Sequence, residues 1–196
     1  LKKPVTVKIS NIAGKVSSPV PEYGALISLD ERALYFTSRR LWKDSSNIDM
    51  KERSDGEYFE DIYVSYKDMD GKWGEPEPIN FNRPDDHEAT VSLSADGLTL
   101  YLYRDENGNG DLYQSFLLDT AWSAPVPMGS DINSKSHETH LTTTLDGKTL
   151  YFVSNRKGGI GEKDIYKCTK LPNGQWSLAQ NLGTQINTPY DEDGPF

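Results

Sequence analysis

The chain has 196 residues, with 21 Lys and Arg against 30 Asp and Glu, for a formal net charge of −9. That balance argues against nucleic acid, whose phosphates select a basic face, and no apolar run approaches the ~20 residues of a membrane-spanning helix. The one cysteine, Cys168, has no internal disulfide partner; inside a strand pattern it reads as a small buried apolar residue, not a nucleophile.

In chain order, residues 1–12 come first. They contain PVTVKISNI, an alternating pattern that predicts a strand. Residues 13–83 carry the landmarks Glu22, Asp30, Leu34-Tyr35-Phe36, Asp61-Ile62-Tyr63 and Trp73. Residues 84–132 repeat them as Glu88, Asp96-Gly97, Leu100-Tyr101-Leu102, Asp111-Leu112-Tyr113 and Trp122. Residues 133–186 repeat them again as Glu138, Asp146-Gly147, Leu150-Tyr151-Phe152, Asp164-Ile165-Tyr166 and Trp176. The step from Glu to Asp is 8 residues each time (22 to 30, 88 to 96, 138 to 146), a spacing that chance does not keep.

The third copy shows what the unit builds. His140 to Leu145 predicts a first strand, and Asp146-Gly147 a tight hairpin turn. Thr149 to Ser154 and Asp164 to Thr169 are the second and third strands, joined through Gly158, Gly159 and Gly161. After the Asn173-Gly174 turn, Gln175 to Leu178 opens a fourth strand around Trp176. Four strands in ~50 residues make a β-propeller blade. An ordinary β-sandwich would not keep the same landmarks in order three times. The expected fold is therefore all-β, with three full blades in which Trp73, Trp122 and Trp176 are buried equivalents.

Asn11 to Leu26 aligns without a gap on Asn181 to Phe196. Residues 1–12 thus read as the outer strand of a preceding or closing blade, and 187–196 as the start of a further one. Propellers have ~4–8 blades, so the expectation is a piece of a larger ring. The opening on Leu1, without a signal-like apolar segment, fits a mature or excised fragment.

The first copy carries an insertion at about 41–58. Tyr35 to Asp61 is 26 residues, against 10 for Tyr101 to Asp111 and 13 for Tyr151 to Asp164. A polar loop of that length is either functional or disordered, and the sequence reading makes it the most mobile segment. Antiparallel strands alternate direction, so the insertion emerges on the same face as the linkers that precede each blade. That loop face gathers His87, His137, His140, the repeat glutamates, Arg39, Arg104, Arg156 and Trp42.

The motif series E-x5-S/T-x-D-G-x2-L-Y-F-x-S, G-x-D-I-Y and G-x-W-S resembles the TolB-type, WD-repeat-like β-propeller repeat, from Asn11 to Phe196. It is similar in particular to the propellers of Bacteroidetes periplasmic proteins of the OmpA family, some of them PorE-like and part of type IX secretion. Asp30-Glu31 lacks the turn glycine, and Ala95 replaces the usual proline. The resemblance implies a periplasmic or envelope location and a protein partner or the remainder of the same propeller. Any peptidoglycan link would run through an OmpA-like domain outside these 196 residues.

The candidate chemistry is thin. His87, Glu88, His137, Glu138 and His140 offer nitrogen and carboxylate, but not at zinc spacing, and neighbouring blades hold them apart. Asp105, Asn107, Asn109 and Asp111 match the first half of a calcium loop, yet Phe116 stands where the bidentate Glu belongs. A turn is the better use of that stretch. One glutamate per blade at one place is what a structural repeat produces, whereas a glycosidase would need a close carboxylate pair. No cofactor motif or nucleophile elbow occurs. The expected function is a non-catalytic interaction scaffold; the alternative is a glycan-binding or glycoside-hydrolase-type propeller.

Overall fold

The computed structural model describes residues 6–9, 12, 15–106, 108 and 110–196. Most of the expected strand over 1–12 lies outside the described residues, and 6–9 and 12 belong to no strand. The first blade is β1 (Glu22–Ile27), β2 (Ala33–Ser38), β3 (Asp61–Tyr66) and β4 (Glu77–Pro78). The second is β5 (Glu88–Leu93), β6 (Thr99–Arg104), β7 (Asp111–Leu118), β8 (Ala121–Trp122) and β9 (Val126–Pro127). The third is β10 (Glu138–Thr143), β11 (Thr149–Ser154), β12 (Asp164–Thr169) and β13 (Gln180–Asn181). Each sheet is an antiparallel meander, and the molecule is an arc of three β-propeller blades. No helix among the described residues is long and apolar enough to cross a membrane.

Strand alternation gives every blade two apolar faces, and the blades stack back to front. Ala33, Tyr35, Ile62 and Val64 on the back of the first blade meet Leu100, Leu102, Tyr113 and Trp122 on the front of the second. Tyr101, Leu112 and Met128 then meet Leu150, Phe152, Tyr166 and Cys168 on the front of the third. Cys168 is fully buried, and burial pushes its thiol up to about 11. The front of the first blade, Leu34, Phe36 and Tyr63, is also buried, under Val16 and Trp42. The Arg40 guanidinium lies 5.2 Å above the Phe36 ring and 5.0 Å above Tyr63. A linker residue, an arginine and the insertion thus do here what a neighbouring blade does elsewhere.

The hairpin turns opposite the loop face are built alike. Asp30, Asp96 and Asp146 each accept a 2.6 Å bond from the hydroxyl of Ser28, Ser94 or Thr144. Glu31 takes the left-handed conformation (φ 56) that Gly97 (φ 72) and Gly147 (φ 63) take in the other copies, so the missing glycine is absorbed at some strain.

Two sequence expectations need correction. The fourth strand does not begin around Trp176; that residue makes a single bridge to Lys170, and β13 pairs further along. The serine after the tryptophan interrupts the ladder, because its hydroxyl accepts the third-strand N–H in place of a backbone carbonyl: Ser177 Oγ from Thr169 N (3.0 Å) and Ser123 Oγ from Phe116 N (3.0 Å). The three tryptophans are also not equally buried. Trp122 is 5% exposed, packed edge-on against Tyr35 at 5.7 Å and latched through its backbone by Asn80 (3.1 and 2.8 Å). Trp73 and Trp176 lack such a latch, stay half-buried, and carry Lys67 (4.8 Å) and Lys170 (5.7 Å) over their rings.

The loop face as candidate functional site

Strand register places the loop face as the sequence pattern expects. Glu22 pairs with Ser38, and Ser38 with Asp61. Glu88, Arg104 and Asp111 line up in the second blade, and Glu138, Ser154 and Asp164 in the third. A glutamate, a central residue and an aspartate therefore lie side by side at the top of every blade.

The glutamates face inward. Glu88 and Glu138 are fully buried. Glu138 accepts from Ser134 N (2.9 Å), Ser134 Oγ (2.8 Å) and Ser154 Oγ (2.6 Å), and pairs with Arg156 at 3.2 Å. In the first blade Glu22 pairs with Arg40 at 2.9 Å and takes both the N–H and the hydroxyl of Ser18. Arg40, not Arg39, is thus the counterpart of Arg156. The second blade rearranges the set: Arg104 occupies the serine place and binds Glu88 at 2.9 Å, while Arg83 from the linker holds both Glu88 (3.2 Å) and Glu106 (2.8 Å). Burial raises the Glu88 carboxyl above the usual range, against the lowering effect of the Arg83 N–H and the Arg104 charge.

Sequence reasoning missed one recurring residue. Asn82, Asn133 and Asn187 each accept from and donate to the backbone of one third-strand residue. The pairs are Ile62 (3.2 and 2.8 Å), Leu112 (3.1 and 2.9 Å) and Ile165 (2.9 and 3.0 Å). The asparagine side chain completes the ladder like a peptide group of a neighbouring strand. Beside it, the N–H of Glu88, Glu138 and Glu192 bonds the carbonyl of Glu60, Gly110 and Lys163 at 2.8, 3.1 and 2.9 Å.

The repeat aspartates differ more. Asp164 is saturated by Ile160 N (2.5 Å), Gly161 N (3.0 Å) and Asn181 Nδ2 (2.9 Å). Gly161 also leaves no room for a side chain, since a Cβ there would sit 2.2 Å from the Tyr190 carbonyl oxygen. Asp61 has a single donor, Trp42 Nε1 at 2.5 Å, and its buried Oδ1 has no partner. Burial, reinforced by the nearby Glu88 charge, pushes Asp61 up to about 7. Asp111 is likewise raised by burial and by Glu138, with its Oδ1 unpaired.

Asp61 carries a prediction. The folded chain holds its proton across a range in which the unfolded chain, with a carboxyl near ~4, has released it. Stability is therefore greatest at the acid end of that range and falls as pH rises through neutrality, by up to about 4 kcal/mol. Urea titrations at pH 5 and pH 8 should show about 3 kcal/mol of this fall, and Asp61→Asn, which keeps an acceptor for Trp42, should show much less of it.

The insertion is mostly exposed but is tied down at several points. Trp42 N donates to the buried Asn47 side chain at 2.9 Å, and three successive turns carry the chain to Met50. Residues 51–58 form a small hairpin closed by the Lys51 and Tyr58 bridge. Arg39 clamps it, binding Glu52 at 2.8 Å, Asp55 at 2.7 Å and the Tyr58 carbonyl. A half-buried charged fork just past the end of β2 supplies anchoring that composition alone hides.

The histidines do not converge. His87 sits between Glu52 (3.4 Å) and Glu60 (3.3 Å) with its ring 4.9 Å from Phe59. His137 bonds Asn155 through its backbone (2.8 Å), and His140 meets Asp193 at 2.6 Å. Among the described residues, no three His, Cys, Asp or Glu side chains form a group that could hold a metal. Of the calcium-loop residues, Asn107 and Asn109 lie outside the described residues. Asp105 accepts the Gly108 N–H at 2.6 Å, the bond of a tight turn.

No known protein family and no curated protein matches the sequence. Solved structures similar to the chain include TolB from Acinetobacter baumannii, at 15% identity and a TM-score of 0.48, covering 79% of this chain and 31% of that one. A TolB-like protein from Agrobacterium tumefaciens aligns at 16% identity and a TM-score of 0.45, over 84% of this chain and 62% of that one. A puromycin-hydrolyzing peptidase from Mycobacterium tuberculosis aligns at 11% identity and a TM-score of 0.41, over 86% and 30%. The chain thus spans less than two thirds of the length of each of these.

Proposed function

We propose that this propeller arc is a non-catalytic scaffold of the cell envelope that presents its loop face to a protein partner or a cell-wall component. The observation that carries the reading is the fate of the carboxylates. Glu88 and Glu138 are fully buried and paired with Arg104 and Arg156, so neither is free to act on a substrate. What the face offers outward is its exposed linker and loop residues, such as Asp85, Lys135, Lys157 and Asp191. Loops on a rigid scaffold are where binding surfaces are normally built. The envelope location rests on the resemblance of the repeat motif to TolB-type propellers. The glycan-active alternative would need a carboxylate pair within ~5–9 Å and open to solvent.

The test uses purified peptidoglycan, an oligosaccharide panel and envelope protein extract. Three proteins are compared: the parent chain, a loop-face double variant (Asp85→Lys, Asp191→Lys) and an opposite-face double variant (Lys72→Glu, Lys148→Glu). A species retained by the parent and the opposite-face variant but lost by the loop-face variant supports the proposal. Turnover of any oligosaccharide, or binding lost only with the opposite-face variant, overturns it.

A further inference from the structure

We propose that the hairpin at 51–58, clamped to the loop face by Arg39, is a strap that the protonated form of His87 tightens further and that loosens when that imidazole loses its proton. The geometry gives the ring a partner in either state. Nε2 faces Glu52 of the strap at 3.4 Å, while Nδ1 lies 3.3 Å from the Glu60 carboxylate and also 3.3 Å from the Glu60 backbone N–H. Imidazolium donates from both nitrogens and so ties the two carboxylates together. Neutral imidazole, its Nδ1 accepting the Glu60 N–H, keeps one donor toward Glu52 and loses the charge that made that contact strong.

The groups around the ring are unevenly divided. Glu52 comes from the strap, Glu60 from the approach to β3, and Asp61 from β3 itself. Arg39, just past the end of β2, is a cation that opposes it, and Arg39 is already engaged by Glu52 and Asp55. Tyr23 in β1 reaches Glu60 rather than the ring. The bond to Glu60 accordingly holds the imidazole above its ordinary range, with Glu52 adding to the effect and Arg39 opposing it. A raised histidine stabilises the state that raises it at low pH, and that stabilisation is lost as pH climbs through the raised value. The strap is therefore closed in mildly acid conditions and loosened in mildly alkaline ones. This device is independent of what binds the loop face.

Amide exchange of residues 50–58, expressed as protection factors to remove the intrinsic pH effect, is measured at pH 5.5 and 8.5. The His87 pKa is followed by NMR in the same protein. Protection should fall about tenfold for each unit by which the closed-state pKa exceeds that of an open histidine. Glu52→Gln should lower the His87 pKa and shrink the fall. His87→Gln should leave the strap weakly protected at both pH values, and Asp61→Asn should retain the response. Equal protection at both pH values in the parent chain would overturn the proposal, as would a response that disappears in Asp61→Asn and survives in His87→Gln.

Discussion

Trp122→Ala is expected to cost about 3–5 kcal/mol of stability, as large aromatic truncations in cores do. The indole is 5% exposed at the seam between the first two blades, where it meets Tyr35 edge-on at 5.7 Å. The residues around it come from two sheets that are joined to each other, so the cavity cannot collapse by moving one loop. Trp73→Ala, at a half-buried site, should lose well under half as much. Denaturant titration of both variants checks the contrast. A loss below about 1 kcal/mol for Trp122→Ala would contradict the seam packing.

Glu138→Ala is the second large effect, again about 3–5 kcal/mol. The carboxylate is fully buried and ties together Ser134, Ser154 and Arg156. Removing it takes the acceptor from two hydroxyls, the Ser134 N–H and the largely buried Arg156 guanidinium, which keeps its bond to the Ile132 carbonyl. Glu138→Gln keeps the size and some of the bonds but not the charge, and should fall between the two. Thermal melts of the three proteins in low and high salt will separate charge from packing. A buried pair is screened little, so the ranking should survive added salt.

The inner strands were legible in the sequence because their signals are local. Landmark spacing placed β11 and β12 to the residue, whereas β10 begins at Glu138, two residues before the expected start at His140. The outer strand was less legible because a hydroxyl competes there with the backbone, and Trp176 gives no hint of that. The site was legible in position but not in pairing. Arg39 and Arg40 are adjacent, and counting along a strand end does not say which of them turns inward; only the third dimension sends Arg40 to Glu22 and Arg39 to the insertion. Asn133 and Asn187 each stand 5 residues before the repeat glutamate, a regularity available from the outset. Asn82 stands 6 before Glu88, one residue out of phase, which hid the pattern. The anchoring of the insertion was invisible for a different reason: Arg39 and His87 contact it from positions outside it.

The asparagine and glutamate bonds to the preceding third strand have a consequence for synthesis. The Ile62 backbone is completed by Asn82, and the Glu60 carbonyl by the N–H of Glu88, so the first blade is finished by the stretch that leads into the second. The same holds one blade later, where Leu112 and Gly110 wait for Asn133 and Glu138. On a ribosome, a blade whose four strands have all emerged would still have open hydrogen-bonding groups at the top of its third strand. It would close only when the next linker left the exit tunnel. Maturation along the nascent chain should then advance in steps that lag each blade by about ten residues, at synthesis rates of ~5–20 residues per second.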